Sequence, residues 1–599
     1  MINLKRIYPM LCSAIAVIAL GACSDFDDYN TASTEGQTAT ATQTLWENIS
    51  GNAQLSNFAS LVRKAGFDDE LNTTHYYTVW APLDGTYDAA ALQALDSKSL
   101  LNRFVKNHIA DFGHGASGSV QEHVFMLNEK SYDFVGTGSY TFDNIRVEQA
   151  NLPNSNGLLH TLNGQAAYYP NLYEFITDSL QSGGKDIDSL RNYFMKAHVV
   201  ELDKQKSVPG SIVDGLQTYV DSVMTIKNDL WTALNAKLAV EDSAYTFLMP
   251  TNRAWNSLYK KVESYYSYPS TIASQLFSGN TVSTVSETLD GSYLQDSIAM
   301  SFITRYLLYS NNDAYNKWLV GNPTTYGTDT LRTTLGKKLS NPADIIGQTI
   351  EELKMSNGMA RIVDSIAVLP EETFAPELFY AATNSGYRAR VALGTESVVT
   401  VDSVDATKVD LSEQRNPDQY RYLLVEASGY NRPDLTLYMP DVLSTTYDIY
   451  CIFVPQNVDL TKPDAVTLPN RVIFTMNYCD ENGKLSEKVF LDESEENISS
   501  FMERFPNVRD IATNRTTIRA FSNDVSKVDT LYIGEFTFPA CYYHMNSGDK
   551  HYRPNIKISS PFSPFYTNVL AAYSRELRIA GILLKPKGEV VEPENSNNE

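Results

Sequence analysis

Cysteine is scarce in this chain, with five in 599 residues. That is too few for a disulfide framework at this length. Basic residues are short as well: Lys and Arg number 48 against 71 Asp and Glu, and the formal net charge is −23. So acidic a chain repels phosphate backbones, which argues against nucleic acid as a partner. No apolar run reaches the ~20 residues that a membrane-spanning helix needs. Histidine is sparse, eight in all, and there is no His-Glu-x-x-His, Gly-x-Ser-x-Gly or phosphate-binding glycine loop. No metal site and no cofactor are expected. Aromatic residues, by contrast, are plentiful: 37 Tyr and 25 Phe, a bias toward β-structure. The apolar fraction of 43% and charged fraction of 20% are those of globular domains. The length suggests about three to five of them.

Residues 1–22 read as a secretory leader. Lys5 and Arg6 form its positive start, and Met10 to Leu20 its short apolar stretch. The run Leu20-Gly21-Ala22-Cys23 resembles the lipobox of bacterial lipoproteins. The resemblance implies cleavage before Cys23, acylation of Cys23 and a stable lipid anchor. Ser24-Asp25-Phe26-Asp27-Asp28 resembles the surface-export signal of some Gram-negative lipoproteins, which implies an outer-membrane protein exposed on the cell surface. Residues 23–43 are polar and Thr-rich and read as a tether.

Three short runs recur in the same order. Leu45-Trp46-Glu47-Asn48-Ile49 is echoed by Leu172-Tyr173-Glu174-Phe175-Ile176. Tyr77 to Asp84 is echoed by Tyr245 to Asn252, and Ser155 to His160 by Ser356 to Arg361. Apolar positions from Leu45 to Val62 fall at helical spacing. Tyr77–Ala81 reads as a short strand stopped by Pro82, with Asp84, and Asn252 in the second copy, capping the helix that follows. Asn156-Gly157 and Asn357-Gly358 are turn signals feeding strands. These helices, the Thr78-Val79-Trp80-Ala81-Pro82 run and the late Asn-Gly strand resemble the fasciclin domain, an extracellular adhesion module. The resemblance covers residues 44–170 and, with insertions near 195–235 and 258–295, residues 171–370. It gives Asn156, Gly157, His160, Asn357 and Gly358 structural roles, with Arg361 standing where His160 does. His108 and His160 both read as packed structural histidines.

From residue 371 to 586 the chain turns to short β-branched and aromatic runs separated by turns, among them Asp480-Glu481-Asn482-Gly483. This pattern reads as an all-β sandwich or jelly roll, followed by an acidic tail at 587–599. The expected fold is therefore multidomain α+β: two fasciclin-like domains and a β-sandwich. Cys451, Cys479 and Cys541 read as buried thiols, although one disulfide among them stays open. Tyr542, Tyr543, Tyr552, Phe562, Phe565 and Tyr566 lie in Pro- and Ser-rich loops and are candidates for stacking on a sugar or anchoring a partner.

No catalytic residue stands out. The reading is a non-catalytic surface lipoprotein for adhesion or accessory binding of glycan or peptide. Fasciclin-containing lipoproteins of this kind resemble components accompanying SusC/SusD-type TonB-dependent nutrient importers, which implies an outer-membrane transporter complex as partner. The alternatives are a surface hydrolase with a carboxylate pair in the C-terminal region and a purely structural subunit of an outer-membrane complex.

Overall fold

The computed structural model describes residues 42–587, apart from 179–181, 206, 214, 222–223, 321–329, 410–419, 430, 493–519, 548–549 and 562–566. Cys23, the leader, the tether and the acidic tail from residue 588 lie outside the described residues. Phe562, Phe565 and Tyr566 do as well.

The first unit opens with helices Leu45–Gly51 and Ser56–Ala65. Thr44 and Glu47 close a reciprocal capping box on the first, satisfying donors a helix start leaves free. Both helices bury one apolar side, including Leu45, Ile49, Phe58, Leu61 and Val62. They pack on the Tyr77–Pro82 strand, which pairs in parallel with Gly157–Leu162. Those two strands belong to a seven-stranded sheet, ordered Ile109–Asp111, Tyr77–Pro82, Gly157–Leu162, Ile145–Asn154, Ser139–Phe142, Ser131–Thr137 and Ser119–Phe125. The sheet twists so that a second core forms behind the first, around Trp80, Phe134 and Phe142.

The second unit repeats the central pair. Tyr245–Pro250 runs parallel to Gly358–Val363 in a four-stranded sheet with Leu308–Ser310 and Thr349–Met355 at its edges. Two insertions distinguish it. The first is a β-arm in which His198–Leu202 pairs with Met224–Asn228, and Val208–Val213 with Leu216–Asp221. The second is the hairpin Thr271–Ser278 with Thr281–Thr288.

Between the first two units the chain places a buried ion pair. Lys130, 2% exposed, sets Nζ 2.7 Å from Glu174 and 2.6 Å from Glu241, and donates to Ser356 Oγ at 3.2 Å. Arg103 pairs with Asp178 beside it. Removing one partner of a buried pair is costly because it strands the other charge, so this seam fixes the two units against each other.

The C-terminal region forms two antiparallel sheets. One holds Gly394–Val401, Tyr420–Ala427, Leu577–Pro586, Thr446–Phe453 and Asp529–Thr537, with Leu378–Ala381 added beside Leu577–Pro586. The other holds Arg388–Ala392, Asp434–Tyr438, Asn555–Ser559, Arg471–Cys479 and Leu485–Phe490, with Phe521–Ser522 alongside. Asp480 Oδ1 accepts from the Asn482 and Lys484 amides, closing the expected turn. Buried residues of these sheets and of the second unit form one continuous cluster. Residues 371–586 thus share a core with the second unit.

Cys451, Cys479 and Cys541 are buried free thiols. Burial raises all three above the ordinary thiol range, Cys541 to about 12. Since the thiolate is the reactive form, a maleimide should leave all three unmodified in the folded chain and label all three in concentrated guanidinium. Peptide mass spectrometry reads the outcome.

Candidate binding surfaces

The two Asn-Gly turns are locks for the helix-to-sheet junction. Asn156 Oδ1 accepts from the Leu45 amide at 2.8 Å, while its Nδ2 donates to the Leu71 and Thr73 carbonyls at 2.9 and 2.7 Å. In the second unit Asn357 Oδ1 accepts from the Leu172 amide at 2.9 Å, and its Nδ2 donates to Leu238 and Val240 at 2.8 and 3.1 Å. Glycine follows because space is absent: a Cβ at Gly157 or Gly358 would overlap the carbonyl oxygen of Tyr77 or Tyr245. The registers are identical, with Tyr77 opposite Gly157 and Tyr245 opposite Gly358.

Asp84 and Asn252 are also equivalent, but in the opposite sense to that expected from the sequence. Neither caps the helix that follows. Asp84 accepts from the Asn57 amide and the Ser56 hydroxyl, and Asn252 from the Ser189 amide. Each holds the start of an earlier helix, Ser56–Ala65 for Asp84 and Asp188–Met195 for Asn252. Thr251 is the residue that caps Asn252–Ser264.

His160 stacks on Trp80, with centroids 5.4 Å apart. It donates from Nε2 to the His114 carbonyl and accepts at Nδ1 from the Asn151 amide. His108 donates from Nδ1 to Phe104 and accepts at Nε2 from the Ala166 amide. Both rings use both nitrogens in the neutral form. Burial lowers each pKa from 6.5 to about 4. The unfolded chain therefore takes up protons below about pH 6.5 that the folded chain refuses until about pH 4. Stability from these residues is complete above pH 6.5, falls by up to about 3 kcal/mol per residue as the pH drops to 4, and is flat below. Urea midpoints across that window measure the fall, and His160→Gln should remove about half of it, leaving the share of His108. Arg361, at the His160 position, is buried and pairs with Glu352.

The loop aromatics do not form an exposed face. Tyr542 is 1% exposed; its hydroxyl donates to the Ala273 carbonyl at 3.1 Å and accepts from the Cys479 amide at 2.6 Å. Tyr552 is buried, and its hydroxyl donates to Ser286 at 3.4 Å. Tyr543 is half-buried between Tyr266 and Phe302. The expectation that these three stack on a ligand is corrected: the inserted Thr271–Thr288 hairpin and the Tyr265–Tyr268 segment cover them, making them the joint between the second unit and the C-terminal sheets.

Elsewhere three aromatics reach solvent around a leucine, Leu583, that is itself buried at 9%. Along Thr446–Phe453, Tyr447, Ile449, Cys451 and Phe453 are buried while Thr446, Asp448, Tyr450 and Ile452 are half-buried on the other side. Register places Tyr450 opposite Tyr532 on one flank and Leu583 on the other, with Phe379 opposite Leu583. A row of four apolar side chains thus crosses four strands. The Tyr450 and Tyr532 rings are 5.3 Å apart and inclined by 54°. Phe379 leans over Gly581, where a Cβ would meet its ring at 2.6 Å. A charged row runs alongside. Lys585 reaches Glu377 at 3.5 Å, Lys587 pairs with Asp448 at 3.5 Å and with Glu535, and the Tyr532 hydroxyl donates to Asp448 at 3.2 Å.

Residues 53–164 match the family model of the fasciclin domain. The first unit is similar to a fasciclin domain. Fasciclin domains are associated with cell adhesion, and a FAS1 domain pair from the insect cell adhesion molecule fasciclin I is one solved structure the chain resembles. Identity is 14%, coverage 54% of this chain and 99% of that one, and the TM-score 0.19. The chain also matches a GH26-CBM35 β-(1,4)-mannanase of Podospora anserina at 13% identity, over 35% of this chain and 28% of that one, with a TM-score of 0.15. None of the curated protein sequences matches the chain.

Beside the fasciclin-like unit, the second unit carries an open cleft of 440 Å³ between Asn252–Ser264 and the segment after Val363, lined by Arg253, Ser257, Lys261, Gln348, Asp364 and Ser365. Asp364 already pairs with Arg253 there. Among the described residues no group of three His, Cys, Asp or Glu is placed to hold a metal, and no helix is long and apolar enough to cross a membrane. The solvent-facing aromatic row was missed in the sequence because its members come from four separate strands. The alternation in Thr446–Phe453 was the only local signal.

Proposed function

We propose that this chain is a non-catalytic lipoprotein of the outer membrane, displayed on the cell surface as an adhesion or accessory binding module beside a SusC/SusD-type TonB-dependent importer. The match of residues 53–164 to the fasciclin domain carries the adhesion reading. The repeated Asn-Gly lock favours a second fasciclin-like domain over residues 171–370, and the two facing sheets after it favour a β-sandwich over 371–586. The anchor rests on Leu20-Gly21-Ala22-Cys23 and the acidic residues behind it. The module acts by holding a ligand or partner close to the membrane, where tethering raises effective concentration without chemistry.

The test is protease treatment of intact cells together with mass spectrometry of the mature N-terminus. The expected result is an acylated Cys23, loss of the protein on shaving, and release from the membrane fraction by Cys23→Ala. Full protection from the protease, with Cys23→Ala still membrane-bound, contradicts the reading.

A further inference from the structure

We propose that the row Phe379, Leu583, Tyr450 and Tyr532 is a binding site for an uncharged oligosaccharide. The inference rests on reading the chain as an accessory binding module and names the ligand class and the surface. Three observations converge on it.

The first is exposure. Tyr532 is 47% exposed, and the half-buried Tyr450 lies beside it. The same sheet face is treated differently at its other end. There Val401, Tyr422, Val454 and Val458 bury one another under the chain's own loops. One end of the face is covered by loops, while the other leaves Tyr532 exposed and Tyr450 and Phe379 half-buried.

The second is shape. The four side chains cross four adjacent strands on one face, about 14 Å at the usual inter-strand spacing of ~4.8 Å. The backbone groups between these strands are already paired with one another. A peptide laid across the face finds no ladder to join there; among the described strands the ladder is open only beside the row, along the outer edge of Asp529–Thr537, and a chain added at that edge would not lie over the four side chains. A sugar ring needs no ladder: it is apolar on its C–H faces and polar at its rim. Aromatic rings supply large, rigid contact area for such a face.

The third is the charge of the border. Glu377, Asp448 and Glu535 are interleaved with Lys585 and Lys587, and they pair among themselves. The border is nearly neutral, so it selects neither a polyanion nor a polycation. It offers ammonium donors and carboxylate acceptors side by side, and hydroxyl groups both donate and accept. The geometry is also held in advance: Asp448 fixes the Tyr532 hydroxyl and Lys587 at once, and Lys585 Nζ stands 5.8 Å from the centre of the Tyr450 ring. Side chains ordered before binding cost less to order on binding.

The experiment is calorimetric titration of the full mature chain, in detergent, with cello-, manno-, xylo- and maltotetraose. Tetragalacturonate, a chitosan tetramer and an unstructured peptide serve as comparisons. At least one neutral tetrasaccharide should bind, and Tyr532→Ala and Tyr450→Ala should each weaken it about tenfold or more with the melting temperature of Tyr532→Ala unchanged. Phe379→Ala should weaken it as well. The proposal is overturned if no neutral oligosaccharide binds, if binding survives both tyrosine substitutions, or if a charged oligosaccharide or the peptide is preferred. None of these results bears on Cys23 acylation or surface display, so the broader functional reading stands or falls separately.

Discussion

Tyr542→Ala is expected to destabilise the second unit and the C-terminal sheets together, by about 4–5 kcal/mol. Truncating a large buried aromatic costs about 3–5 kcal/mol through lost contacts and the cavity left behind. The hydroxyl adds to this, because its loss strands the buried Cys479 amide and Ala273 carbonyl, each an unpaired polar group. Tyr542→Phe isolates that second part and should cost about 1–2 kcal/mol. The two regions share one buried cluster, so they should melt in one transition that shifts as a whole. Calorimetry of the full chain reads this. A separate C-terminal transition that moves alone would contradict the shared core. Unchanged stability with lost ligand binding would return Tyr542 to the surface role first read from its loop context.

The second large effect is at the Asn-Gly locks. Asn156→Ala leaves the Leu45 amide and the Leu71 and Thr73 carbonyls without their partner. At about 1 kcal/mol or more for each buried group, the first unit should lose about 3 kcal/mol. Asn357→Ala should cost the second unit a similar amount through the Leu172, Leu238 and Val240 backbone groups. Gly157→Val should do more, since its side chain has no room beneath the Tyr77 carbonyl. Denaturant unfolding followed by region-resolved hydrogen exchange separates the two variants. Each should loosen its own unit first, and a loss confined to the wrong unit would contradict the equivalence of the turns.

Much of this architecture was legible in local chemistry. Asn156-Gly157 and Asn357-Gly358 are visible as turns, and the apolar spacing from Leu45 to Val62 yields the helices Leu45–Gly51 and Ser56–Ala65. Asp480 to Gly483 reads as the hairpin it forms. The failures share a cause, which is that the deciding partner lies far along the chain. Asp84 and Asn252 have the right chemistry for a cap, but the sheet returns them to a helix already made. Tyr542 and Tyr552 sit in loop-like sequence, and an insertion some 270 positions earlier covers them. The Tyr450 row is the converse case: strand alternation sends Tyr450 outward, while register alone brings Phe379, Leu583 and Tyr532 beside it.

The proposed role is to hold a membrane-bound partner or ligand without turning it over. Affinity purification of the tagged, lipidated protein from detergent-solubilised outer membrane tests this most directly, with the eluate assayed on a glycan and peptide panel. A TonB-dependent transporter or its lipoprotein partner is expected in near-stoichiometric amount, with no turnover. Purification of the chain alone, with hydrolysis of a glycan or peptide that tracks the protein, would contradict it.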